Sequence, residues 1–374
     1  MVAQTRCGRG EAMNGAERQE LWERLEAAAL VHGELPPAVA SPTPWFVRVM
    51  LGIAGWIGAL FLLAFIGIGF HSLIENWPGA IITGTLLCAG AAMLFRSGLR
   101  ADFASQFALA LSFAGQALIC FGISELLRWD FFAVCLAMTA VETFLFFAAP
   151  NFLHRVWSAW AGSFALALAF WDLKLSTFAP GIVTAAFAFL WFSEFRHPRR
   201  GALLRAGGYG LAASIIATVI MLSGRSEGVL WWSRAVPAPG NDLLVWLGLG
   251  LSGTVLIGVS IRLLYWENVP LGSRPGKAVL AGAGILAAAS LKAPGLGPCV
   301  AILVVGHAAG NRRLAGLGVL ALLGYLAHYY YVLDATLLQK SEVLAGVGLS
   351  LLIARLVLLK CLPAPESAEE ASHA

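Results

Sequence analysis

Charge is scarce in this chain. Only 12% of its 374 residues are Asp, Glu, Lys or Arg, where a soluble domain carries about 25%. Cysteine is also sparse and badly spaced for chemistry. Cys7, Cys88, Cys120, Cys135, Cys299 and Cys361 form no CxxC and no paired spacing, which excludes a disulfide framework or a zinc site of the usual kind. They read as small apolar packing residues. Of the seven histidines, only His307 and His328 fall in or near apolar runs, and neither has a second ligand one helical turn away. There is no P-loop, HExxH or nucleophile-elbow pattern, so no cofactor, metal site or catalytic residue is expected. The formal net charge of +4 is spread over short loops and leaves no nucleic-acid footprint. The first 44 residues lack the apolar core of a signal peptide, and Met13 is an alternative start.

What is present is apolar sequence in long runs. Hydrophobic residues make up 59% of the chain, and the mean hydropathy is +0.78. Continuous runs of bilayer-crossing length recur from Trp45 to Leu362. They do not alternate with period two, which excludes a transmembrane barrel. The expectation is an all-α, polytopic membrane protein with twelve candidate spans. These are 45–70, 78–95, 103–123, 131–149, 156–171, 178–195, 203–223, 243–264, 277–291, 295–309, 313–333 and 337–361. The ninth and tenth, around "SLKAPGLGP", are short and could instead form a re-entrant pair, giving a range of ten to twelve. Residues 1–44 precede the membrane domain of 45–361 and carry one short amphipathic helix, "AERQELWERLEAAALVHG". Residues 362–374 read as a disordered cytoplasmic tail.

Basic loops set the orientation. With the N-terminus cytoplasmic, the inside segments collect Arg96, Arg100, Arg155, Arg196, Arg199, Arg200, Arg205, Arg262, Arg274, Lys277, Arg312 and Arg313. The outside loops hold only Arg128, Lys174, Arg225, Arg234, Lys292 and Lys340. Both termini are therefore expected inside, and aromatic residues gather at the matching ends. Trp231 and Trp232 lie in the longest outside loop, as a lipid-facing anchor would. Tyr329, Tyr330 and Tyr331 fall at an outer interface.

"GLGLSG" at 248–253 matches GxGxxG, but it lies inside an apolar span without a preceding strand. Its glycines suit close helix approach. Gly306 and Gly310 form a GxxxG pair with the same reading. Glu142 is the sharpest anomaly, sitting inside "FFAVCLAMTAVETFLFFAAP" between Thr139 and Thr143. A carboxylate there is costly unless protonated, paired or facing water. Two readings stand: a proton or cation site, with Gln106 or Gln116 as candidate partners, or a protonated glutamate bonding a neighbouring helix. In "YYYVLDATLLQKSEVL", Tyr329 to Leu344, Thr336 and Gln339 form a capping box with Asp334 as an alternative cap. Lys340 and Ser341 follow in the first turn, where the helix dipole disfavours a cation. Lys340 therefore needs a compensating partner on the outer face.

Two stretches carry a resemblance. "LWERLEAAALVHGELP" followed by "PWFVRVMLGIAGWIGALFLLAFIGIG", and "GNRRLAGLGVLALLGYLAHYYYVLDATLLQKSEVLAGVGLSLLIAR" near the end, resemble a bacterial family called domain of unknown function 4401. The resemblance implies a multi-pass inner-membrane protein with no assigned reaction. It also implies a small membrane-anchored partner, of the type named for a GDYxxLxY motif. The expected function is a non-enzymatic component of such a membrane complex, embedded in the lipid bilayer. A secondary transporter or proton-coupled carrier using Glu142 is the alternative, and a membrane enzyme acting on lipid or envelope substrates is the third.

Overall fold

The computed structural model describes residues 15–28, 31, 33, 45–69, 75–97, 102–194, 197, 200–223, 243–332, 338 and 341. Among these residues every regular element is helical. The order is α1 (Gly15–Ala27), α2 (Trp45–Gly69), α3 (Trp77–Arg96), α4 (Asp102–Leu126), α5 (Phe131–Ala148) and α6 (Phe152–Asp172). A 3₁₀ turn (Ser176–Phe178) leads into α7 (Ala179–Glu194), followed by α8 (Gly201–Ser223) and α9 (Leu243–Trp266). α10 (Arg274–Ser290), α11 (Leu296–Ala308) and α12 (Arg312–Val332) complete the set. Residues 335–337, 339, 340 and 342–361, which hold most of the last expected span, lie outside the described residues.

Seven described helices are long and apolar enough to cross a membrane, namely α2, α3, α4, α5, α7 with its 3₁₀ turn, α8 and α9. α11 is apolar but shorter. Large apolar side chains cover the outside: Phe61, Ile68, Phe144, Phe189 and Ile285 are all exposed. A surface of this kind is stable against lipid rather than water, and helices leave no backbone group unpaired there.

Local signals set the boundaries. Asp130, Asn151 and Ser273 are N-caps whose side chains accept from Ala133, His154 and Gly276 N–H respectively. Prolines enter at the first turns of α3 and α10, where the missing N–H costs nothing. The α4–α5 connection turns on Arg128 and Trp129, both with positive φ. The Asn151 cap starts α6 at Phe152, earlier than the expected span beginning at 156. That shift carries His154 into the first turn of the helix.

α3 and α4 pack closely, with Gly84 and Gly115 face to face. A Cβ on Gly115 would lie 2.6 Å from both the Gly84 carbonyl and Cys88 Sγ, so neither position tolerates a larger side chain. α2 leans on α4, α5 pairs with α6, and α6 with α8. α7, α8, α9, α11 and α12 enclose the main apolar core, with Phe187, Ile215, Ile302, Val305 and Leu314 fully or almost fully buried. α4 and α5 share little backbone contact. The link between α2–α4 and the rest combines an apolar cluster of Cys88, Ile119 and Ile123 with Met138, Val141 and Leu145, the Phe113–Trp157 ring contact and a set of polar side chains.

Candidate functional site

Those polar side chains form a ladder between α4 and α6. On α4, Ser105, Ser112 and Gln116 recur at spacings of seven and four, so they line one face. On α6, Asn151, His154 and Trp157 do the same. The helices run parallel, and the rungs pair in order. Below the first rung, Arg96 at the end of α3 donates to the Ala148 carbonyl at the end of α5 at 2.7 Å. Asn151 Nδ2 donates to Ser105 Oγ at 3.2 Å. Ser112 Oγ lies 2.8 Å from His154 Nε2, and Trp157 Nε1 donates to Gln116 Oε1 at 2.8 Å. From Ser105 to Gln116 the ladder climbs roughly 16 Å at 1.5 Å per residue, about half of a ~30 Å hydrocarbon core.

The bonds also set the histidine tautomer. Gln116 gives its oxygen to Trp157, so its Nε2 turns toward His154 Nε2 at 3.3 Å. A nitrogen facing an amide N–H must accept, and Ser112 then donates to the same nitrogen. The proton of the ring therefore sits on Nδ1, which is buried without a hydrogen-bond partner. His154 itself is fully buried, between the rings of Phe95 and Phe113.

Glu142 comes from α5 to the same layer. It is 2% exposed, and its Cβ faces Gly162 of α6, where an added Cβ would lie 3.1 Å away. Ser158, one turn beyond His154 on α6, stands beside the Glu142 carboxyl. Neither Glu142 Oε2 nor Ser158 Oγ reaches hydrogen-bond geometry with any partner. Ser158 also faces a cavity of about 310 Å³ between α5, α6, α7 and α8, whose wall includes Thr139, Thr143 and Gly207. The site thus holds three unsatisfied polar atoms on two adjacent helices. Each such atom in an apolar interior costs about 1–3 kcal/mol; Trp191 Nε1 and Ser214 Oγ in the main core are in the same state.

Of the candidate partners for Glu142, Gln116 joins the ladder, whereas Gln106 accepts from Trp56 Nε1 at 3.3 Å on the α2 side. The structure brings Glu142 next to Ser158, a residue the sequence did not single out. His154 was also overlooked, because the apolar run alone suggested a later helix start. The signal was the cap: "NFLH" places an Asx N-cap three residues before the histidine.

The remaining candidates are dispersed. Gly306 meets α12, where a Cβ would lie 2.5 Å from Ala315 N. Gly310 makes no helix contact; it has φ +63° in the α11–α12 turn, with nothing near its Cβ position, because a left-handed turn residue is needed there. Tyr329 packs on the main core and lies 6.0 Å from the Tyr325 ring, so it faces inward more than a belt residue would. Tyr330 is half-buried at the same helix end, and Tyr331 is the last residue but one of α12, with its side chain outside the described set. Ser341 is exposed and donates to the Leu338 carbonyl at 2.7 Å. Trp231, Trp232, Asp334 and Lys340 lie outside the described residues. No group of three or more His, Cys, Asp or Glu side chains able to hold a metal occurs among the described residues.

The sequence matches the profile of the family described as Domain of unknown function (DUF4401) over residues 44–361. The chain belongs to this family. The match runs from the start of α2 past the end of α12, so the polar ladder and Glu142 both fall within the family domain. No curated protein and no solved structure matches the chain.

Proposed function

We propose that this member of the domain of unknown function 4401 family is a proton-coupled carrier of the bacterial inner membrane, with Glu142 as the proton-carrying group. The observation that carries this reading is the buried Glu142 carboxyl with an unbonded oxygen, set beside Ser158 in the layer of the Ser112–His154–Gln116 ladder. Ionisable residues at membrane depth mark proton or ion pathways by default. Here the ladder offers polar groups from one membrane face to about mid-depth, and the cavity at Ser158 offers space beside the residue that stands next to the carboxyl. In this reading Glu142 takes a proton through the ladder and gives it up toward that cavity. The bias of basic residues supports an orientation in which the Arg96, Arg155 end of the ladder faces inside.

The test is proton flux in proteoliposomes carrying an internal pH dye, under an imposed pH gradient. Glu142→Gln should abolish the flux of the wild-type chain while leaving its melting temperature unchanged. Equal flux in the two would sink the carrier reading. Reporter fusions at residues 197, 234 and 338 test the orientation, and an outside signal at 197 would reverse it.

A second reading is supported by α2. Among the described helices it packs extensively only on α4, and Phe46, Met50, Phe61, Phe65 and Ile68 are exposed along it. A small membrane-anchored protein of the GDYxxLxY type would be held on this face. Affinity purification should then retrieve one stoichiometric small membrane partner, lost on Phe61→Arg. A chain purified alone from its native membrane would count against this reading.

A further inference from the structure

A second cavity lies between α9, α10 and α11. It is a groove of about 850 Å³, walled by Leu256, Leu263, Val279, Leu286, Val300 and Val304 among others. Polar groups are few and are confined to one half: Ser260 partway along, with Glu267 and His307 at the end. That end is where α9 finishes, α10 begins and α11 finishes, so all three helices reach the same membrane face there. The groove follows α9 from Glu267 to Leu256 and α10 from Pro275 to Leu286. Eleven residues of helix cover roughly 16 Å, which is about one leaflet of a ~30 Å hydrocarbon core.

An apolar groove of this size within a membrane bundle is neither empty nor wet. Water gains no partners on such a wall, and the surrounding solvent is acyl chain. What distinguishes one lipid from another is the mouth. Glu267 and His307 are both exposed there, and among the described residues neither side chain takes part in a hydrogen bond or ion pair. A carboxylate paired with an imidazole suits a headgroup that has an N–H donor cation beside a phosphate. Glu267 accepts from the amine and His307 donates to the phosphate. A choline headgroup has no N–H to give, and a purely anionic headgroup, although drawn to Arg274 and Lys277 at the same face, leaves Glu267 without a donor.

We infer that the α9–α10–α11 groove is a binding site for one phospholipid with a primary-amine headgroup, its acyl chain in the groove and its amine on Glu267. The inference rests on membrane embedding and is independent of the carrier reading.

The experiment uses the full chain purified from membranes and reconstituted in nanodiscs of equimolar phosphatidylethanolamine, phosphatidylglycerol and phosphatidylcholine. Retained lipid is then counted by native mass spectrometry after detergent exchange. Gly282 lines the groove and has nothing within 4 Å of its Cβ position, so Gly282→Trp fills the space without a backbone clash. Gly284 is equally open but points away from the groove, two residues on along the helix. The wild type and Gly284→Trp should each keep one phosphatidylethanolamine. Gly282→Trp should lower retention about tenfold, corresponding to about 1.4 kcal/mol. Glu267→Gln should keep a lipid but lose the preference for ethanolamine over choline. No retained lipid in the wild type, equal retention in the two tryptophan variants, or no headgroup preference would each overturn the site. The first of these outcomes is also the one expected if the chain's own run 343–360 or a partner's span fills the groove.

Discussion

The α4–α6 ladder and the α7–α8–α11–α12 core sit in one helical domain but are closed by different interactions. The core is apolar, and among its members Phe187, Ile215, Ile302 and Leu314 are fully buried. Its few polar contacts lie at the rim, as with Tyr209 and Asn311, which also caps α12. The ladder instead joins helices with little backbone contact through serine, glutamine, asparagine, histidine and tryptophan. In lipid the hydrophobic effect gives no preference for one apolar partner over another, so dispersion and shape hold the core together. Hydrogen bonds hold the ladder, and they are directional and can be exchanged one at a time.

The comparison can be broken by substitution. Phe187→Ala should cost most, about 4 kcal/mol, since it opens a void among five packed helices; chemical denaturation in detergent would read it. His154→Ala should cost about 2 kcal/mol, because Ser112 and Gln116 each lose their acceptor while buried. If His154→Ala proved as costly as Phe187→Ala, the ladder would be a structural core in its own right. Gln116→Leu removes the acceptor of Trp157 and should cost about 1 kcal/mol, as should Tyr209→Phe at the core rim. Glu142→Gln should cost least, within about 0.5 kcal/mol, because no bond to Oε2 is lost. It should nevertheless have the largest effect on proton flux. A large loss of stability in Glu142→Gln would mean that the carboxyl ties helices together and moves no proton.

Much of the helix order was legible without coordinates. α2, α3, α5, α8 and α9 lie within a few residues of their expected limits, because bilayer-length apolar runs leave the backbone no other fold in lipid. Glu142 was legible too, since one acid in a run of phenylalanine, alanine and valine stands out whatever its surroundings. Ser112, Ser158 and His154 were not. Serine is common in membrane helices, where it normally bonds its own backbone, as Ser163 does. Only the angular position relative to a second helix separates Ser163 from Ser112. Gly310 was misread for the opposite reason: GxxxG spacing implies a shared helix face, but α11 ends at Ala308, two residues before Gly310.

The sequence by itself determined the solvent. Scarce charge, long apolar runs and basic loops on one side decide that the chain lives in a bilayer as helices, and they suggest which way it faces. These are properties of segments, each satisfied within its own hydrogen-bonded helix. Which helices touch, and through which side chains, was decided only by the tertiary structure. Helix pairing in lipid depends on close shape and on single polar contacts, as at Gly84 and Gly115 or Ser112 and His154. Those contacts join residues on different helices, between which no sequence periodicity runs.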